Sequence, residues 1–202
     1  MRPRLRHCPT ALLYGLALFV FFSLCFSAGQ PTVPKQDRRW KQYRNPTLGY
    51  CLTYPSRWLK GDAFDGAGFY IETGVRKYSK PIGEIDITAL TSSPDSGDAV
   101  TFSLLDDLQQ HLDGLKTFER AERMELIEKK EIHLLGDAAL LTKDRYYDPQ
   151  DRGTWLDEVI FVRHEKNLFR LEMECPDDQL ARFEPVFNRV VDSFRFDCGA
   201  SQ

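Results

Sequence analysis

The chain has 202 residues, 42% of them hydrophobic, which is enough to bury one good core and favours one domain over two. Its formal charge is −3, and removing Arg2, Arg4 and Arg6 with a leader takes the 27 basic residues to 24 against 30 acidic, a balance of −6. An acidic domain argues against sequence-independent nucleic-acid binding, which needs Lys and Arg to displace counterions from phosphates.

The N-terminus reads as a targeting segment. Arg2, Arg4, Arg6 and His7 form a basic region, residues 11–26 are apolar and uncharged, and Ser27, Ala28 and Gly29 follow. This is the pattern of a secretory signal peptide over residues 1–28, with an uncleaved membrane anchor as the alternative. It predicts export to the periplasm or the extracellular space. Residues 29–44, with Pro31, Pro34 and a run of Lys and Arg, read as a linker; 45–198 form the domain and 199–202 a tail. Beyond the leader three cysteines remain, Cys51, Cys175 and Cys198. An oxidising compartment allows one disulfide among them. A Cys51–Cys198 bridge would staple the C-terminus to the first strand; the other reading is three reduced cysteines with Cys175 packed as a small hydrophobe.

Within the domain, Tyr50, Leu52 and Tyr54 alternate with Cys51 and Thr53 in a strand that Pro55 ends, and the following turn delivers Trp58 to the core. Residues 61–68 read as loop, 68–73 as a short strand, 74–81 as a basic loop and 84–90 as a strand with Ile85, Ile87 and Ala89 inward. After the loop 91–98, with Asp98 as cap, a helix runs to about Gly114. Its Leu104, Leu105, Leu108, Leu112 and Leu115 recur at helical spacing, and Asp106 and Asp107 lie opposite them. Strands follow at 124–134 and 138–146, and a turn-rich connection leads into a long hairpin over 154–175, turning at 165–167. Phe169, Leu171, Met173 and Cys175 share one face of its second strand, with Arg170, Glu172 and Glu174 on the other. The C-terminal helix carries Phe183, Phe187, Val190 and Val191 on one face. Because Pro185 removes an N–H donor, it reads as the first residue of a second helical piece. The order predicts an α+β domain: an antiparallel sheet of about six or seven strands with helices packed on it.

No catalytic signature accompanies these elements. There is no G-x-S-x-G elbow, no redox Cys pair and no phosphate-binding glycine loop. His111, His133 and His164 stand at no ligand spacing from one another, though Asp107 lies four residues before His111 on the helix. Asp144, Asp148, Asp151, Asp157 and Glu158 crowd the approach to the hairpin. Such oxygen donors suit calcium or manganese, but the spacing matches no calcium loop, and the group reads as a solvated acidic rim with no cofactor expected. Tyr146, Tyr147 and Trp155 beside Arg163, Arg170 and Glu172 combine aromatics with charge as protein interfaces do; the competing reading is a sheet end covered by its own chain.

The segment GYCLTYPSRW, the helix LLDDLQQHL after a Ser/Pro/Asp loop, the Gly136 turn, the long hairpin and the terminal VVDSFRF together resemble the PsbP-like family over roughly residues 43–196. That resemblance implies the fold shared with a Ran-binding nuclear-import factor and with bacterial envelope proteins. It also implies that Phe169, Leu171 and Met173 pack beneath the terminal helix. In function it implies a non-enzymatic, extracytoplasmic module docking onto an envelope protein or complex. A metal-dependent envelope enzyme using the Asp144–Glu158 carboxylates with a histidine, and a lipid or small-ligand carrier, are the alternatives.

Overall fold

A computed structural model of the chain describes residues 38–63, 68–77, 80–91 and 103–198. The expected signal peptide, the start of the linker, Asp98 and the tail 199–202 lie outside the described residues.

The long hairpin is the middle of the structure. Strands β10 (Gly153–His164) and β11 (Asn167–Pro176) pair antiparallel from Trp155↔Pro176 to His164↔Asn167 around a two-residue turn. On one side β9 (Asp137–Asp148) and β8 (Glu122–Leu134) extend the sheet; on the other β7 (Glu84–Thr91), β4 (Gly68–Glu72) and β3 (Leu59–Asp62) do. The order is β3-β4-β7-β11-β10-β9-β8, antiparallel throughout. Leu135 and Gly136 join β8 to β9 with φ of 55° and 97°, the paired left-handed residues that a tight hairpin favours and that glycine adopts without strain. A smaller sheet holds β1 (Trp40–Asn45), β2 (Tyr50–Pro55) and β12 (Arg195–Phe196), and β5 (Arg76–Lys77) pairs with β6 (Lys80–Pro81).

Two helices cover opposite faces of the large sheet. Helix α2 (Leu180–Ser193) and the small sheet bury Tyr50, Phe69, Ile85, Ile87, Phe169, Leu171, Met173, Phe183, Phe187 and Val190 in the main core. Helix α1 (Leu104–Thr117) packs on the other face through Leu108, against Leu140, Val159 and Phe161, and through Leu115, against Tyr146 and Trp155. The domain is α+β, as the periodicities predict. The described residues belong to one compact unit, Arg38–Gln202, and none of their helices is long and apolar enough to cross a membrane.

Four expectations change. Residues 40–44 of the expected linker form β1, which pairs Trp40↔Pro55 to Asn45↔Tyr50, so the ordered domain starts earlier than residue 45. The loop at 61–68 begins as β3. Helix α1 starts at a capping box: Ser103 Oγ accepts from Asp106 N–H while the Asp106 carboxylate accepts from Ser103 N–H. Finally, Pro185 sits inside a continuous helix and does not start a new one. A proline there costs about 3 kcal/mol. Burying Phe183, Phe187 and Val190 returns about 2 kcal/mol each, so the continuous apolar face wins.

Candidate functional site

The register puts an unusual row of residues on the α1 face. Asp157 of β10 stands opposite Asp144 of β9 and Glu174 of β11. Glu174 in turn faces Glu84 of β7, and Glu84 faces Glu72 of β4. Five neighbouring strands thus each contribute one carboxylate to a single cross-strand row. Like charges directly opposite on neighbouring strands repel, so the row persists only with compensating partners.

Those partners differ along the row. Glu72 takes both oxygens to Arg76 at 2.7 and 2.8 Å. Tyr146 donates its hydroxyl to the Glu174 carboxylate. Asp157 meets His111 of α1, Nε2 to Oδ2 at 2.9 Å. Both oxygens of Asp144 lack a hydrogen-bond partner among the described residues, although the side chain is buried. One turn back on α1, Asp107 accepts from Arg170 at 3.1 Å, and the Arg170 guanidinium lies 5.5 Å over the Phe161 ring.

His111, Asp144 and Asp157 are 6%, 1% and 0% exposed, and one ligating atom from each lies within 4.8 Å of the others. Burial pushes the Asp144 carboxyl up to about 6; the His111 ring opposes this, and Glu172 and Glu174 reinforce it. Asp157 is held well above the ordinary carboxylate range, first by burial and then by Glu172, Asp144 and Glu174. Chemically, the group offers one imidazole nitrogen and two carboxylates shielded from solvent, an arrangement that can hold a proton or a cation.

The expected acidic rim is therefore corrected, because all five of its carboxylates are buried. They also separate. Asp144 and Asp157 converge under α1. Glu158 points to the other face, where Lys143 bridges it to Glu184 of α2 at 3.1 and 3.0 Å. Desolvation pulls the Lys143 ammonium down, and hydrogen bonds to Glu184 and Glu158 more than reverse it. Asp148 shapes the β9–β10 turn, its Oδ1 accepting from the Gln150 and Asp151 N–H groups at 2.7 and 3.2 Å.

The expected protein-binding patch does not assemble either. Tyr146 and Trp155 are buried beneath Leu115 of α1, so the chain itself covers that end of the sheet. Tyr147 lies on the opposite face under the Arg123 guanidinium, 5.3 Å from the ring centroid. Arg170 is committed to Asp107, and Glu172 and Arg163 are half-buried. Asp107 and His111, placed by sequence away from the leucine stripe or on a solvated face, both point into the sheet. Cys51 and Cys198 form a disulfide with Cα atoms 5.8 Å apart, while Cys175 is a buried free thiol.

No family model and no curated protein sequence matches the chain. Among solved structures, the cyanobacterial PsbP (CyanoP) of Synechocystis sp. PCC 6803 superposes with a TM-score of 0.56 at 15% identity, over 78% of this chain and 92% of that one. The fold is PsbP-like. LpqN of Mycobacterium tuberculosis, described as involved in cell envelope biogenesis, is similar at 14% identity with a TM-score of 0.49, over 77% of this chain and 88% of that one. In this PsbP-like chain the carboxylate row crosses the middle of the large sheet, and α1 lies over its Asp144–Asp157 end.

Sequence reasoning also missed the outer edge of the sheet. Strand β8 pairs only with β9 among the described residues, and its residues are exposed along nearly the whole length. The β8–β9 ladder is irregular between Glu122 and Glu125 and again between Leu126 and Glu128, and Leu126 and Ile127 are 44% and 43% exposed. The signal in the sequence was ELIEKKEIHL, a strand without the alternation of a half-buried one.

Proposed function

We propose that this protein is an exported PsbP-like binding module that docks onto a protein of the cell envelope and does no chemistry of its own. The observation that carries the reading is β8, a thirteen-residue edge strand with exposed Leu126 and Ile127. An open edge presents a row of main-chain donors and acceptors to an added strand, and the apolar pair supplies an anchor. Glu125, Glu128, Lys129, Lys130 and Glu131 interleave both signs along it, which discourages pairing between copies while leaving room for a complementary partner. Three further features support the reading. The Cys51–Cys198 disulfide suits an oxidising compartment. The His111–Asp144–Asp157 cluster lies sealed beneath α1, out of reach of a substrate. Space between the sheet and α2 is filled by Phe169, Phe183, Phe187 and Val190, where a lipid carrier would need a cavity.

Site-specific photo-crosslinking in the native host tests this. A crosslinking residue at Ile127 or Lys130 should capture one partner in high yield, whereas one at Asn188 on the exposed side of α2 should not. Equal yields from both faces, or no adduct from β8, would refute docking at this edge.

A further inference from the structure

We propose that His111, Asp144 and Asp157 form a site for a divalent transition-metal ion, Zn2+ or Mn2+, that fastens α1 to strands β9 and β10. The inference is independent of the docking edge, which lies on β8.

Three observations converge on it. The first is geometry. The ligating atoms already lie within 4.8 Å of one another, each on a regular element. A tetrahedral ion with ligands at about 2.1 Å holds them about 3.4 Å apart, so the widest pair closes by at most about 1.4 Å, while His111 Nε2 and Asp157 Oδ2, now 2.9 Å apart, open slightly. The second is the unpaired carboxylate. Asp144 is 1% exposed, and neither of its oxygens has a hydrogen-bond partner among the described residues. A buried carboxylate in that state costs several kcal/mol unless a charge or donor meets it. The third is local charge. Asp144 and Asp157 face each other directly across β9 and β10, with Glu174 next in the row, while the Arg170 guanidinium, which offsets Asp157 in part, is hydrogen-bonded to Asp107. A divalent cation supplies the missing positive charge.

The donor set selects the ion. Calcium takes about six to eight oxygen ligands, whereas one imidazole nitrogen with two carboxylate oxygens suits Zn2+ or Mn2+. The surroundings hold these ligands in place. His111 lies edge-on to Phe161 with centroids 5.8 Å apart. Tyr146, two residues along β9 from Asp144, ties the neighbouring Glu174. Leu108 and Leu115 anchor α1 on either side of His111, so the imidazole is delivered from a fixed stretch of helix.

The test is direct metal analysis. The full-length protein, disulfide intact, is stripped with chelator and dialysed to equilibrium against Zn2+ or Mn2+, and bound ion is counted by elemental analysis. One ion per chain is expected, with Co2+ giving a visible ligand-field spectrum in its place. His111→Gln and Asp144→Asn should each weaken binding by at least about 100-fold, since loss of even an outer-shell partner costs about 10–100-fold. Absence of stoichiometric binding, or binding unchanged in both variants, would overturn the site. Should a variant fail to fold, the His111 ring resonances of the wild-type protein decide: a shift on adding Zn2+ supports the site and its absence overturns it.

Discussion

Replacing Cys198 with serine removes the one disulfide among the described residues, and its cost can be worked from the connectivity. Cys51 and Cys198 are 147 residues apart, and closing a loop of that size removes about 17 cal/mol/K of entropy from the unfolded chain, about 5 kcal/mol at 25 °C. Part of that is recoverable in the native state. The linked strand β12 is only Arg195–Phe196, paired to Cys51 and Tyr50. Phe196 keeps it in place without the bridge: its ring lies flat on His164 at 3.8 Å and against Phe169 and Phe194. The expected result is a protein of unchanged fold that is less stable by about 3–5 kcal/mol. Equilibrium urea unfolding of the oxidised wild type, Cys198→Ser and Cys51→Ser measures it. The two single variants should agree with each other, and their urea slope should exceed that of the wild type, because an uncrosslinked chain exposes more surface on unfolding. Equal midpoints for wild type and variants would refute the argument, as would finding both Cys51 and Cys198 reactive in the unfolded, non-reduced protein.

Further outcomes follow from the same geometry. Burial pushes the Cys175 thiol up to about 12, so it should resist alkylation at pH 8 in the native protein and react once in denaturant; rapid native labelling would contradict its packing. Metal-free protein should be less stable relative to Asp144→Asn at pH 8 than at pH 4. The folded-state carboxyl is raised to about 6, so the proton's contribution is complete below the unfolded value and lost as pH rises through 6; a pH-independent difference in denaturant midpoints would exclude this. Gly68→Ala would drive a Cβ into the main-chain carbonyl of Ile87 on the paired strand, which no rotamer relieves, and should cost about 3 kcal/mol in thermal or urea melts. A near-neutral effect there would mean that β4 and β7 are not held in this register.

The fold could be read because its signals are local. Alternation in 50–55, 84–90 and 168–175 marks strands, and Phe183, Phe187 and Val190 mark a helix face, each within one element. Proline at 185 misled because its cost is local while the compensating burial is tertiary. The candidate site was hidden for the same reason. Its three side chains come from α1, β9 and β10, and no spacing along the chain connects 111, 144 and 157. Charged residues at 170, 172 and 174 suggested a solvated face, yet α1 covers part of it by presenting polar groups of its own, Asp107 and His111, between Leu108 and Leu115. The available signal was those two residues on the same turn-by-turn stripe as the buried leucines, a polar strip on a helix face matched to a polar strip on a sheet.

That matching has a consequence for the helix itself. Helix α1 meets the sheet through two small apolar groups, one around Leu108 and one around Leu115, with the His111–Asp144–Asp157 cluster between them. Two buried leucines contribute about 4 kcal/mol together, while one unmet buried carboxylate removes a comparable amount. The attachment of α1 is therefore poised near balance, and what neutralises Asp144 decides it. A proton does so at low pH and a bound cation at neutral pH, so α1 should protect its amides from hydrogen exchange in either of those conditions and lose protection first in the metal-free protein at pH 8.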